Sequence, residues 1–208
     1  MIKTITLIMT GASGAQYGLS LLKNLISANR RVYLLISKPA RIVLKMESEI
    51  NLPVHNQATE KTLSTYFNAA EGQLSVFGLQ QWMAPIASGS GVADATIVCP
   101  CTTGTLAAIA QGHSKNLIER AADVALKERK KLILVVRETP FSEIHLENML
   151  CLSRMGAIIM PANPGFYHQP KGIDDLINFM VARILDQLAI SHQLLPIWGA
   201  KKDKKFVS

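Results

Sequence analysis

Short apolar runs and longer stretches of helical period take turns along most of the chain. "TITLIM" (4–9), "RVYLLIS" (31–37), "ATIVCP" (95–100), "KLILVVR" (131–137) and "GAIIMP" (156–161) are strand-sized and rich in consecutive Val, Ile and Leu. Such runs suit strands covered on both sides. Between them the periodicity predicts a helix from about Ala15 to Ala28, another starting near Pro39, a short one over "TTGTLAAIAQG" and a longer one over 116–129. A further helix is expected over 140–155, with Pro140 at its first position, and an amphipathic helix over 173–190 closes the pattern. This alternation predicts an α/β fold of three layers, a doubly wound parallel sheet with helices on both faces. Ligands of such a sheet sit at the carboxyl ends of the strands.

Residues 51–94 interrupt the rhythm. They hold Asn, Gln, Thr and Ser with few periodic apolars, and then "QQWMAPIASGSG" (80–91). A segment of this length implies an excursion carrying a short hairpin or helix, kept for function or for contact with a partner. The whole pattern describes one α/β domain over 1–198, followed by a basic tail, 199–208, that is expected to be mobile.

Composition narrows the class. With 208 residues, 49% apolar and 18% charged, the chain can bury one continuous core. No run approaches the roughly 20 apolar residues of a membrane span, and the apolar N-terminus is too short for a signal-peptide core. A cytoplasmic protein is expected. Three cysteines, Cys99, Cys101 and Cys151, fit a reducing compartment. Cys99-Pro100-Cys101 hints at metal or redox chemistry, but no second Cys/His pair completes a site, so no metal is expected. The net charge of +7 raises nucleic acid as a partner. Its basic residues, however, gather in "KERKK" (127–131) and "KKDKK" (201–205) without interleaved aromatics. A solvated surface with a site for a small anion accounts for the charge better.

Candidate chemistry collects at the strand ends. Gly11, Ala12, Ser13 and Gly14 turn the first strand into a helix, where free amides bind anions and small residues admit a ligand. The spacing departs from G-x-G-x-x-G, and the second strand ends in Ser37 instead of an acidic residue. A mononucleotide such as FMN therefore fits better than a dinucleotide. Thr102, Thr103, Gly104 and Thr105 open a second helix and offer a second anion-binding rim, or ordinary threonine capping. Arg137 and Glu138 adjoin at the end of "VVRETP", where an unpartnered charge is costly. Arg120 and Lys127 lie seven residues apart, on one helix face. After the fifth strand, "PANPGFYHQPKG" presents Tyr167 and His168, and Arg183 stands among apolar residues of the last helix. Tyrosine with arginine is a common grip for phosphate.

These residues resemble a known family. "MTGASGAQYG", "ASGSG", "CPCTTGTLAAIA", "NLIERAADVALKERKKLILVVRETPFSEIHLENM", "GAIIMPANPGFYHQP" and "DDLINFMVARILDQL" are similar to the UbiX-type flavin prenyltransferases, from Lys3 to Trp198. The resemblance implies a flavodoxin-like (Rossmann-like) subunit in a large homo-oligomer, usually a dodecamer, with active sites where subunits meet. It implies transfer of a dimethylallyl group from dimethylallyl monophosphate to N5 and then C6 of reduced FMN, with no metal. The prenylated FMN would serve a partner decarboxylase, typically in ubiquinone biosynthesis.

The resemblance also implies roles. Gly11, Ala12 and Ser13 would line the FMN site, with Ser13 near N5; Ser37, Thr102, Thr103, Gly104, Thr105 and Arg137 would complete it. Ser88, Arg120, Lys127, Tyr167 and Arg183 would bind the prenyl phosphate. Glu47 and Glu138 would balance charge and handle protons, and Trp82 and Trp198 would shelter the isoprenoid. This inventory suits the chemistry, since a monophosphate leaves an allylic carbon only if several donors absorb its developing charge. Two other readings are weighed beside it. One is an FMN-dependent cysteine decarboxylase of the same fold, for which His55 is the only histidine in the early half of the chain; the other is a basic nucleic-acid-binding module.

Overall fold

The computed structural model describes residues 3–196. Trp198 and the tail over 199–208 therefore lie outside the described residues. Six parallel strands form one sheet: β1 (Thr4–Met9), β2 (Arg31–Ile36), β3 (Leu74–Phe77), β4 (Ala95–Cys101), β5 (Lys131–Val136) and β6 (Ile158–Ile159). Their order is β3-β2-β1-β4-β5-β6. The helices are α1 (Ala15–Ser27), α2 (Lys38–Glu47), α3 (Asn56–Phe67), α4 (Thr103–Ala110), α5 (Leu117–Lys127), α6 (Glu143–Arg154) and α7 (Ile173–Gln187).

The doubly wound sheet is as expected, with one strand more. Residues 51–94 hold α3 and the edge strand β3, and no hairpin. Without β3 the five expected strands stand in the order 2-1-3-4-5 of flavodoxin-like sheets. With β3 the order becomes 3-2-1-4-5-6, the dinucleotide-fold arrangement. Either count puts the reversal between the first strand and β4.

Two local expectations are corrected. Pro140 does not open α6. The helix begins at Glu143, because the Ser142 hydroxyl accepts the His145 amide while the His145 ring accepts the Ser142 amide, a closed capping box. Pro140 follows a cis peptide in the preceding loop. The strand expected over 156–161 is reduced to Ile158–Ile159, since it pairs only with Ile133 and Leu134 at the sheet's other edge.

Alternate side chains of the central strands feed two cores. Ile5, Leu7 and Met9 join α1, α2 and α7 on one face, through residues such as Leu22, Leu44, Val181 and Leu185. Ile8, Leu132 and Leu134 join α4, α5 and α6 on the other, through Leu106, Ile118 and Leu152. The sheet thus separates α5 from α7. Cys99 and Cys101 also fall in opposite cores, so the Cys-Pro-Cys stretch cannot act as a redox pair. Burial pushes both thiols up, Cys101 to about 12, where they stay protonated and inert.

Gly18 sets how closely α1 sits on the sheet. A Cβ there would stand 2.7 Å from the Cys99 carbonyl oxygen and 2.6 Å from the Met9 methyl. The methionine can move, but the strand backbone cannot. Gly18→Ala should therefore destabilise the fold by about 1–3 kcal/mol, read as a lowered urea midpoint.

Candidate active site

Thr10, one residue past β1, builds the crevice at the order reversal. Its hydroxyl donates to the Pro100 carbonyl at 2.8 Å and accepts the Thr102 amide at 2.8 Å. The β1 and β4 ends are thereby joined. Thr102 then caps α4: its hydroxyl accepts the Thr105 amide at 3.1 Å and lies 2.9 Å from the Thr105 hydroxyl. The Leu106 amide goes to the Thr102 carbonyl, so among the described residues the amides of Thr103 and Gly104 have no acceptor. A Cβ at Gly104 would meet nothing within 4 Å, so the space above these amides is open.

In the turn into α1, two amides are already engaged: Glu47 Oε2 accepts the Gly14 amide at 2.8 Å and the Ala15 amide at 2.9 Å. Glu47 arrives there because α2 lies across the turn. The helix touches it at its start, where a Cβ on Gly11 would stand 2.4 Å from the Pro39 Cβ, and at its end through Glu47. Gly11 therefore leaves room for Pro39. Gly14 adopts φ +103°, in the left-handed region that suits glycine. Ser37 is also engaged, its hydroxyl accepting the Ala40 amide to cap α2.

Burial alone would raise the Glu47 carboxyl. Hydrogen bonds from the Ser13 hydroxyl and the Ala15 and Gly14 amides, with the Arg137 charge, outweigh it and hold the group below the ordinary carboxylate range. A depressed folded value gives stability that is present above the unfolded value and lost as pH falls through the folded one. Glu47→Gln should lower unfolding free energy by about 1–2 kcal/mol at neutral pH, and the deficit should shrink on acidification. Urea titrations of both proteins across pH 3–7 check this, with about one unit as the pH step.

Arg137 stands at the end of β5, its amide donating to the Cys101 carbonyl and its Nε buried without a partner. Glu138 follows, half-buried, with Oε1 accepting the Thr139 amide at 3.0 Å. Both line a cavity of about 310 Å³ with Phe141, Pro161 and Asn163. A larger groove of about 960 Å³, between α1, α3 and the start of α7, contains none of the expected site residues.

The remaining expected residues lie elsewhere. On the α5 face, Arg120 Nε donates to the Ala87 carbonyl at 2.9 Å and its guanidinium pairs with Asp123. Lys127 pairs with Glu128, and its ammonium borders Gly89, next to Ser88. Across the sheet, the exposed Tyr167 ring packs edge-on against Phe179 of α7. Arg183, one turn further along α7, is exposed and paired with Asp186. Trp82 is 44% exposed on the loop after β3. Sequence reasoning missed Thr10, whose place at the end of an apolar run reads as one more strand position.

One subunit thus carries these residues in three groups, on different elements. The first is the crevice of Gly11, Ala12, Ser13, Glu47, the Thr102–Thr105 turn, Arg137 and Glu138. The second holds Ser88, Arg120 and Lys127, and the third Tyr167 and Arg183. Lys127 ends α5 just before β5 begins, whereas Arg137 follows β5, about 20 Å along a six-residue strand.

A parallel sheet with a donor-lined crevice at its order reversal defines a nucleotide-binding α/β protein. Comparison with known proteins is more specific. The flavoprotein family model matches residues 1–185. Flavin prenyltransferase UbiX of Pseudomonas aeruginosa is 59% identical over 195 residues, 94% of this chain and 93% of that protein. The crystal structure of AnUbiX (PadA1) in complex with FMN and dimethylallyl pyrophosphate aligns with TM-score 0.85 and 39% identity, covering 97% of this chain and all of that one. A dodecameric FMN-dependent UbiX-like decarboxylase from Escherichia coli O157:H7 aligns with TM-score 0.83 and 38% identity, over 95% of this chain and all of that one. The chain belongs to the flavoprotein family and, within it, to the UbiX flavin prenyltransferases. Among the described residues no helix is long and apolar enough to cross a membrane.

Proposed function

We propose that this enzyme moves the dimethylallyl group of dimethylallyl monophosphate to N5 and C6 of reduced FMN, and that the product serves a partner decarboxylase in ubiquinone biosynthesis. The observation that supports this most is the group of unengaged donors at the crevice. The open amides of Thr103 and Gly104, the free space above Gly104, and Arg137 with its unpartnered Nε suit a phosphate monoester. No carboxylate ends β2 to take a ribose hydroxyl pair; Ser37 stands there. The residues fit FMN.

Gly11, Ala12, Ser13 and Ser37 form the wall beside the ring system, with Ser13 at the N5 edge. Thr102, Thr103, Gly104, Thr105 and Arg137 hold the flavin. Reduced flavin supplies the electron-rich N5 and C6 positions that the prenyl carbons join. Glu47, on the Gly14 and Ala15 amides beside Ser13, balances charge there, and Glu138, beside Arg137, takes part in proton handling around the substrate.

Ser88, Arg120, Lys127, Tyr167 and Arg183 bind the prenyl phosphate and take up its charge as the allylic C–O bond breaks. These side chains lie on two faces of one subunit, and a homo-oligomer, the dodecamer, brings copies of both to one phosphate. Trp82 shields the allylic carbon, whose positive charge favours a dry, π-rich wall. The enzyme works in the cytoplasm, in keeping with three free cysteines.

The test mixes the purified protein anaerobically with reduced FMN and dimethylallyl monophosphate, with the diphosphate in parallel. Mass spectrometry should find a flavin heavier by one five-carbon unit with the monophosphate. A flavin of unchanged mass would overturn the reading.

A further inference from the structure

Thr10 is 3% exposed, and its hydroxyl gives one hydrogen bond and receives one. The Pro100 carbonyl it reaches also accepts the Thr10 amide, at 3.2 Å. The residue just past β1 therefore grips the β4–α4 turn on both sides of Cys101. Thr102 is the residue held, and Thr102 also caps α4. Fixing its amide against Thr10 fixes the direction of the next two amides, Thr103 and Gly104, which have no acceptor among the described residues. A β-branched side chain is stiff at χ1, so the hydroxyl is delivered in one orientation.

We propose that Thr10 is a positioning residue: its buried hydroxyl ties Thr102 to Pro100 and so aims the open amides of α4 at the phosphate of FMN. Thr10 touches no ligand; it acts through Thr102. The inference rests on the reading of the α4 turn as the phosphate site.

FMN and riboflavin, which lacks the phosphate, are titrated into the purified oligomer and followed by flavin fluorescence. Thr10→Val keeps the shape and removes both hydroxyl bonds; it should weaken FMN about tenfold and leave riboflavin unchanged. Thr10→Ser should restore FMN affinity to within about threefold of the unaltered protein. A hydroxyl that merely braced the fold would lower both affinities together. An unchanged ratio of the two in Thr10→Val therefore overturns the proposal while the phosphate reading stands. Unaltered protein that binds FMN no better than riboflavin overturns that reading itself. If Thr10→Val does not fold, hydrogen exchange in the flavin-free oligomer decides. The Thr102 amide should exchange slowly, and free exchange there overturns the proposal.

Discussion

A one-to-one mixture of Lys127→Met and Arg183→Met subunits, assembled together, should recover about a quarter of the unmixed enzyme's prenyl-transfer rate. Each variant alone should fall by about two orders of magnitude, the usual consequence of removing one donor from a leaving group's charge. Both should retain FMN, since neither residue lies at the crevice. The recovery follows from topology. Lys127 ends α5, which packs in the core containing Ile118 and Leu132, and Arg183 lies on α7, which packs in the core containing Leu22 and Val181. With the sheet between the two helices, different subunits are expected to contribute the two cations to one phosphate. Random assembly then leaves one site in four with both side chains intact. Were both residues to act from the same subunit, every site would lack one of them and mixing would recover nothing. Single-turnover transfer on co-expressed, tag-separated mixtures distinguishes the two outcomes.

How much of this was legible in the sequence depends on whether the signal was local. The strands at 4–9, 31–36 and 131–136 stand out because both sheet faces are covered and their residues are mostly apolar, with the buried Thr6 an exception. β3 is four residues long at the sheet edge, with only Leu74 and Val76 buried, and α3 buries only Thr59 and Leu63. Neither has enough apolar positions to display a period. Pro140 looked like a helix opener because proline suits that position, but the two hydrogen bonds of the Ser142–His145 capping box, just downstream, decide where α6 begins.

The site divides in the same way. The threonine rim before α4 is contiguous, so its capping chemistry can be read directly. The amides of Gly14 and Ala15 are occupied by a carboxylate 32 or more positions later, and only the path of α2 across the turn reveals it. Thr10 is harder still. Its partners are 90 and 92 residues away, and a threonine at the end of a β-branched run carries no mark of that bond. The exposed cations show the opposite limit. In one subunit, Lys127 and Arg183 are each paired with a neighbouring carboxylate, which is what ordinary surface residues do. A meeting of the two in an assembly would be invisible both to local pattern and to a single chain.

Gly104→Asp should stabilise the flavin-free protein slightly and nearly abolish FMN binding. The two effects have opposite signs because they act on the same feature. Gly104 is the second residue of α4, its backbone is helical, and a Cβ there enters open space, so aspartate is accommodated without strain. In the first turn a carboxylate complements the helix dipole, worth about 0.3–1 kcal/mol, and replacing a helical glycine adds a similar gain. The same carboxylate would stand where the amides of Thr103 and Gly104 are open to the phosphate. A like charge about 4 Å from a phosphate costs on the order of 4 kcal/mol near a protein surface, or about three orders of magnitude in affinity. Riboflavin, without the phosphate, should bind nearly as before. Thermal unfolding of the flavin-free protein and fluorescence titration with both flavins measure the two signs separately. A Gly104→Asp protein that still bound FMN tightly would move the phosphate away from α4, because no rearrangement of a glycine-sized position can accept a second anion in the same two amides.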